Sequence, residues 1–477
     1  MRYTTLAITL LAILTLPRAI GDTHSSTTSL SYTQRALSSH ANPAAANLVI
    51  RRKDPHLMTG GMLEVGVGVE YGDIDNLLDL INDLKNDFEP SEPAPPPGEI
   101  PPPGDDDIDW DKIFEMYPDL EDRLDQVKKE ATRRAAYFAL IAAEGYGKAE
   151  LYLDSPWVIK EDLWGGSLIG SISARGNSKA IGLFENIEFD ADIAKDSLSQ
   201  IPTFGPNDGI QELDLSAGLT LHYDPLNRRA KLTIDNDSLL LVKATKIYEF
   251  SLSYSNQLLA TDYGELYVGV QPTVYRVGLT NITTRLGDVN DANEILEDIF
   301  NGDYRYETGF DADIGMIWAS DHYQVGFAAN NIWEWNYGYP EVDRSRFKSD
   351  DINRKLDFHQ KYTMQRQYRM EAAIYTDQRH WSLNFDADLN AITDPMRDQY
   401  QWVNIAAGYA SDSWWLPSAR VGFSKNLVGS KLRYLNAGAT FAKIFNLDVS
   451  ASLDKADIVE DRYFRGVTVT LGVQYDY

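Results

Sequence analysis

The sequence predicts an all-β protein: a transmembrane antiparallel β-barrel of about 14–16 strands, with an N-terminal plug-like segment and a helical, acidic, proline-rich insertion. Three observations carry this. Apolar and polar residues alternate with a period of two in segment after segment beyond residue 160. Many of these segments run to about ten residues, close to the roughly 9–11 that a tilted membrane strand needs, and many end in Tyr or Trp. The connections between them alternate between short and long, as they do in bacterial barrels.

The chain starts "MRYTTLAITLLAILTLPRAIGD". Arg2, the apolar stretch from Thr5 to Leu16, and Ala19-Ile20-Gly21 have the layout of a secretory signal peptide over residues 1–21. No later apolar run approaches the ~20 residues of a spanning helix; the longest, Ala135 to Ala143, follows Arg133 and Arg134 directly. The expectation is export and membrane passage by strands.

The clearest alternation lies in "YETGFDADIGMIW". Tyr306, Phe310, Ala312, Ile314, Met316 and Trp318 share one face; Glu307, Asp311 and Asp313 share the other. "WSLNFDADLN" opposes Trp381, Leu383, Phe385, Ala387 and Leu389 to Asn384, Asp386 and Asp388. "FNLDVSASLD" opposes Leu447, Val449, Ala451 and Leu453 to Asp448, Ser450 and Ser452, and "QELDLSAGLTLHYD" behaves likewise around Asp214. The chain closes on "GVTVTLGVQYDY", with Tyr475 and Tyr477 on the apolar face.

Strands are expected near 62–71, 164–174, 180–189, 212–223, 229–235, 246–256, 264–281, 304–319, 322–332, 364–376, 380–390, 400–411, 416–425, 431–441, 445–453 and 464–477, a count at the upper end of the range. "RGNSK", "DPLNR", "ASDH" and "TDQRH" fall at even connections and read as short turns. Long connections fall at odd positions. An even strand number then places both termini in the periplasm. A charge facing lipid costs roughly 2–4 kcal/mol at mid-depth, so Asp214, Glu307, Asp311, Asp313, Asn384, Asp386, Asp388 and Asp448 are expected to line an acidic lumen.

The domain reading is a plug-like segment over 22–60 and a barrel over 61–477, interrupted by an insertion at 73–160. The insertion holds an amphipathic helix over 73–88, a proline-rich linker over 89–109 and a second helix near 111–143. From Asp73 to Asp125 it carries 18 acidic residues against Lys85, Lys112 and Arg123.

The function classes narrow by chemistry. The formal charge of −27 disfavours direct nucleic-acid binding. The absence of cysteine removes disulfides, thiol catalysis and cysteine metal sites. The Asp run at 105, 106, 107, 109 and 111 reads as a solvated loop, since it lacks the glycine and closing glutamate of a calcium loop. The 7 histidines, at 24, 40, 56, 222, 322, 359 and 380, show no metal-ligand spacing. His222 and His322 are placed near periplasmic strand ends, with no nucleophile motif beside them. Asn236 and Asn281 stand in Asn-x-Ser/Thr triplets, a frequent chance match. No catalytic, cofactor or metal site is expected.

Asn42-Pro43-Ala44, within "RALSSHANPAAANLV", resembles the FadL-like outer-membrane barrels, where such an element belongs to an N-terminal plug. The segment from Ala419 to Tyr477, "YEFSLSYSNQLLATDYGELYVGVQPTVYRVGLTNITTRL" at 248–286 and "YQVGFAANNI" at 323–332 are similar to the TraF-type conjugal transfer proteins of that superfamily. The resemblance implies a non-enzymatic structural or assembly component of an envelope or conjugation apparatus, set in outer-membrane lipid. The alternative it implies is a FadL-like transport pore for small or amphipathic solutes, although the acidic lumen departs from the greasy pocket of such transporters. It also implies that the final alternating strand with its terminal aromatic is read by the outer-membrane assembly machinery.

Overall fold

The computed structural model describes residues 42–52, 60–72, 146–183, parts of 197–236, 237–285, 302–458 and 461–475. Fourteen strands close into one antiparallel barrel. In chain order they are β1 (Gly61–Tyr71), β2 (Tyr146–Leu163), β3 (Gly166–Leu183), β4 (Leu239–Thr261), β5 (Gly264–Arg285), β6 (Arg305–Ala319) and β7 (Tyr323–Asn330). There follow β8 (Gln367–Tyr375), β9 (Trp381–Asp388), β10 (Trp402–Tyr409), β11 (Ser418–Asn426), β12 (Arg433–Phe441), β13 (Phe445–Ser452) and β14 (Gly466–Tyr475). Each pairs with its neighbour in sequence, and β14 closes on β1, from Gly61 opposite Tyr475 to Glu70 opposite Gly466.

The two-residue period of the sequence is the in–out period of this wall. On β6, Phe310, Ile314 and Met316 are about half exposed, while Asp311 and Asp313 on the other face are buried. The outward residues form an apolar belt. At one end of the barrel the belt is rimmed by Trp318, Tyr323, Trp381, Tyr409, Trp414 and Tyr475, a girdle that suits the membrane interface. Trp381 and Tyr409 lie on adjacent strands with ring centroids 5.0 Å apart.

That end also carries the even connections, at 164–165, 262–263, 320–322, 376–380, 410–417 and 442–444, and both termini of the wall. The odd connections include 72–145, 184–238, 286–304 and 331–366. Length therefore alternates as the sequence suggests, except that 427–432 is shorter than 410–417. Tyr477 lies outside the described residues; Tyr475 ends β14, and its ring lies across Gly61, where an added Cβ would sit 2.5 Å from Cζ.

Fourteen strands, not sixteen, result from three differences. Residues 164–174 and 180–189 are not two strands: β3 runs unbroken from Gly166 to Leu183, with Arg175 to Lys179 paired to β2 and β4 inside it. This stretch lies toward the long-connection end, where the outer face need not be apolar, so its Gly, Asn and Ser imitate a turn. Residues 212–223 and 229–235 alternate, but they build a separate three-stranded sheet, Gln211–Asp214, Leu219–Asp224 and Arg229–Ile234, within the β3–β4 connection. Asp214 is thus not a lumen residue. Finally, the insertion expected over 73–160 ends earlier. Tyr146 to Leu163 is a wall strand with Leu151 and Leu153 outward and Lys148 and Glu150 inward, disguised by its charges and by Pro156, a residue that cannot donate to a ladder. The linker at 89–109 and the helices expected at 73–88 and 111–143 lie outside the described residues.

Candidate functional site: a lumen closed from both ends

Within the wall, near the short-turn end, lies the helix α1 (Ala45–Arg52), entered through Asn42-Pro43-Ala44. Local chemistry explains the entry. The Asn42 side chain accepts from the Ala44 N–H at 3.1 Å and its carbonyl from the Ala45 N–H at 3.0 Å, while Pro43 presets the turn. Ala45 to Ile50 are all buried, as expected of a helix with two packed sides. Ala44, Ala45 and Leu48 pack on Tyr267, Ile317 and Ala319; Ala46, Val49 and Ile50 pack on Met62, Val158 and Ile169.

Polar contacts fix its height in the barrel. Asn42 Nδ2 donates to Glu371 Oε1 at 3.1 Å and reaches the carbonyls of Met316 and Phe327 at 3.4 Å. The Asn47 N–H donates to Ser255 Oγ at 2.7 Å and its Nδ2 to Ser167 Oγ at 2.8 Å. Arg51 donates to Gln257 and to the Gly165 carbonyl. Wall glycines make the room: an added Cβ would sit 2.3 Å from the Pro43 carbonyl at Gly269 and 2.0 Å from Asn42 Oδ1 at Gly315.

The lumen wall is apolar where Met62, Val158 and Ile169 meet α1 and where Ile247, Val277 and Leu279 cluster; elsewhere it is polar, but not simply acidic. Arg369 faces Asp386 at 3.6 Å and Asp388 at 3.5 Å; Arg420 grips Asp448 at 2.8 Å and donates to Thr440 at 2.7 Å; Arg175 lies 3.5 Å from Glu249. The expected acids Asp311, Asp313, Asp386, Asp388 and Asp448 do point inward, as does Asn384, and Glu307 lies inward beside Arg305 at 2.9 Å. Inward cations offset part of their charge. These were legible in the same alternation, on the same face as the acids.

The long-connection end is closed by the loops 331–366 and 389–401. The latter carries Asp394 and Asp398 down to three wall lysines. Lys148 Nζ donates to Asp394 Oδ2 at 2.7 Å and lies 3.6 Å from Asp398; Lys179 pairs with Asp398; Lys243 donates to the Pro395 carbonyl at 2.7 Å. Tyr339, from the other loop, donates to the same carbonyl at 2.8 Å, and Lys243 lies 4.2 Å over its ring. Burial raises the Asp394 carboxyl against the pull of Lys148. Burial also opposes charge on Asp398, yet Lys148 and Lys179 hold it below the usual range.

His359 caps the helix α2 (Asp350–Phe358) in this loop. Burial, and then the nearby Lys243, Arg397 and Lys179, push its imidazole down to about 3. An unfolded histidine binds a proton near pH 6.5, so between these values the unfolded loop binds more protons than the folded one. Stability therefore rises with pH through this window and is lost as pH falls toward 3. Amide protection across 350–366, measured as exchange relative to the intrinsic rate at each pH, is expected to fall on acidification from pH 6.5, and His359→Gln to flatten that dependence; an equal dependence in both proteins would show that another group titrates.

The other histidines stay apart. His322 lies in the 320–322 turn, 3.6 Å from Asp377. His222 is not at the end of a wall strand; it sits in the separate sheet, 3.4 Å from Glu212. His380 contacts the Ala410 carbonyl and Asp412. Asn281 donates to the Pro340 carbonyl at 3.2 Å; Asn236 and the Asp run at 105–111 lie outside the described residues. Among the described residues no group of three His, Cys, Asp or Glu is placed to hold a metal ion.

Comparison with known proteins narrows the identity. No curated protein matches the chain. The solved structures to which it is similar include a deltaS2S3 mutant of the TodX monoaromatic hydrocarbon channel, at 9% identity, 96% of this chain, 98% of that one and TM-score 0.40. The Ralstonia pickettii toluene transporter TbuX follows at 10%, 94%, 98% and 0.39, and a Pseudomonas aeruginosa FadL homologue at 11%, 96%, 99% and 0.36. The family described as "F plasmid transfer operon, TraF, protein" matches residues 39–388, from just before the plug through the end of β9. The chain, a membrane-spanning barrel with its lumen filled by its own N-terminal helix and loops, belongs to that TraF family.

Proposed function

We propose that this protein is an exported outer-membrane barrel that serves as a structural or assembly component of an envelope apparatus of the conjugal-transfer type, and that it is not an enzyme. Residues 1–21 are its signal peptide, both termini lie in the periplasm, and the long connections lie outside the cell. One observation supports this above others: buried, charge-assisted contacts cross the lumen near both ends. Asn42 to Glu371 lies near one end and Lys148 to Asp394 near the other. A resting open pore would leave such groups in water.

A second reading, a gated transport pore, draws on the paired charges that line the lumen, Arg369 with Asp386 and Asp388 and Arg420 with Asp448, which suit hydrogen-bonding solutes better than hydrocarbons. The two readings differ in one experiment. Purified protein in liposomes is silent and takes up no solute under the first, while deletion of the gene lowers mating or surface assembly. Steady conductance of the wild-type protein, with mating intact after deletion, would favour the pore. Recovery of the protein as a soluble periplasmic species would sink both.

A further inference from the structure

The outward face of the wall carries cations where its apolar belt ends. On β5 the outward residues run Leu266, Val268, Val270, Pro272, Val274, and then Arg276. Leu266 is level with Trp318 of the girdle at the short-turn end. Arg276 stands ten residues further along. At about 3.4 Å per residue and a tilt of about 40°, that is a height of about 26 Å, against an apolar band of about 25 Å. Arg276 therefore sits at the opposite interface, in the headgroup layer. Lys246 on β4 pairs with Gly278 and lies one row further out.

Aromatic rings hold both cations. Lys246 Nζ is 3.7 Å from the ring centroid of Tyr304, and the Arg276 guanidinium is 4.7 Å from that of Tyr306. The two rings are 6.1 Å apart. Tyr306 lies across Gly278, where an added Cβ would meet its Cε1 at 2.5 Å. Tyr304 is itself fixed by packing on Val242 and Ala244. Tyr248, beside Arg276, adds a third phenol on the same face. The neighbouring wall carboxylates point inward: Glu249 faces Arg175 and Glu307 faces Arg305. Among the described residues neither Lys246 nor Arg276 has a carboxylate partner.

Cations without carboxylates, propped on tyrosines at headgroup depth, are donors arranged for an anion that comes from the bilayer. We propose that Lys246, Arg276, Tyr304 and Tyr306 form a binding site on the lipid-facing wall for the phosphate of a phosphorylated glycolipid headgroup in the outer leaflet. It rests on the orientation proposed above, with the long connections outside. The arginine supplies a planar fork that can take two phosphate oxygens, and the lysine supplies a point charge.

The test uses full-length protein in detergent micelles, which makes it independent of orientation in the cell. Diphosphorylated lipid A and the same lipid stripped of phosphate are titrated against wild type and against the Lys246→Gln, Arg276→Gln double variant. The phosphorylated lipid is expected to bind wild type at least about tenfold more tightly than the stripped lipid, and the double variant to lose that preference. Excess inorganic phosphate is expected not to displace the lipid. Equal binding of the two lipids by wild type overturns the proposal, as does a preference that survives in the double variant. Competition by inorganic phosphate overturns the commitment to a lipid. Should the double variant fail to assemble, the comparison of lipids on wild type decides alone.

Discussion

Gly315→Leu is expected to unseat the plug and leave the wall folded. A Cβ alone would lie 2.0 Å from Asn42 Oδ1 and 3.0 Å from Pro43 Cδ, so no side chain fits beneath the helix entry. Overpacking of this kind costs about 1–3 kcal/mol. Losing the Asn42 donor leaves the buried Glu371 carboxylate short of a partner, at about 1–3 kcal/mol more. The plug gives way before the wall because α1 is held by a few side-chain contacts, whereas β6 pairs along its length with β5 and from Ile314 to Ala319 with β7. Liposomes bearing the variant should show conductance where wild type is silent, and amides of 42–52 should exchange faster. The outward substitution Val325→Leu should do neither. A silent Gly315→Leu barrel with unchanged exchange would mean that the helix entry accommodates the side chain and the plug stays seated; faster exchange without conductance would mean that the plug does not seal the lumen.

Lys148→Met is expected to be the most destabilising single change in the outer closure. Lys148 and Asp394 are buried together and lie 246 residues apart in sequence, so one contact ties β2 to the loop 389–401. Removing one member of a buried pair costs about 3–5 kcal/mol, because the remaining charge is left without compensation. Asp398 would keep Lys179 but lose its second cation. The midpoint of heat-induced loss of the compact barrel on gels should fall, and the loop should become accessible to protease. Adding Asp394→Asn should restore a large part of the loss, since it removes the stranded carboxylate. If the double variant is as unstable as the sum of the two single changes, the lysine acts through packing and not through this ion pair.

Much of the wall was legible because membrane strands obey a local rule. Outward residues meet lipid and inward ones meet polar groups, so Phe310, Ile314 and Met316 on β6, or Leu447 and Val449 on β13, declare their face within the segment itself. The rule fails where the wall leaves the bilayer. Arg175 to Lys179 in β3 and Leu239 to Ala244 in β4 lie beyond the belt, and strand length there is set by pairing with neighbours. Alternation also misleads where a hairpin belongs to a separate sheet, as Gln211–Asp214, Leu219–Asp224 and Arg229–Ile234 do. Tyr146 to Leu163 was hidden for the opposite reason: its inward charges and Pro156 mask a sound outward row.

A membrane barrel with even strand number, apolar outside, with short turns and both ends of the wall at one rim, follows from the order of residues alone. Period, strand length and turn length are properties of neighbouring residues, and the bilayer enforces them on each strand separately. Only the tertiary structure decided what fills the lumen. That Asn42 meets Glu371 and finds space at Gly315, and that Lys148 meets Asp394, are contacts across the closed circle, whereas Arg369 meets Asp388 directly across the β8–β9 hairpin. The contacts across the circle depend on shear and register around all fourteen strands. No segment carries that information alone, because the two partners of each such contact become neighbours only once the barrel has closed.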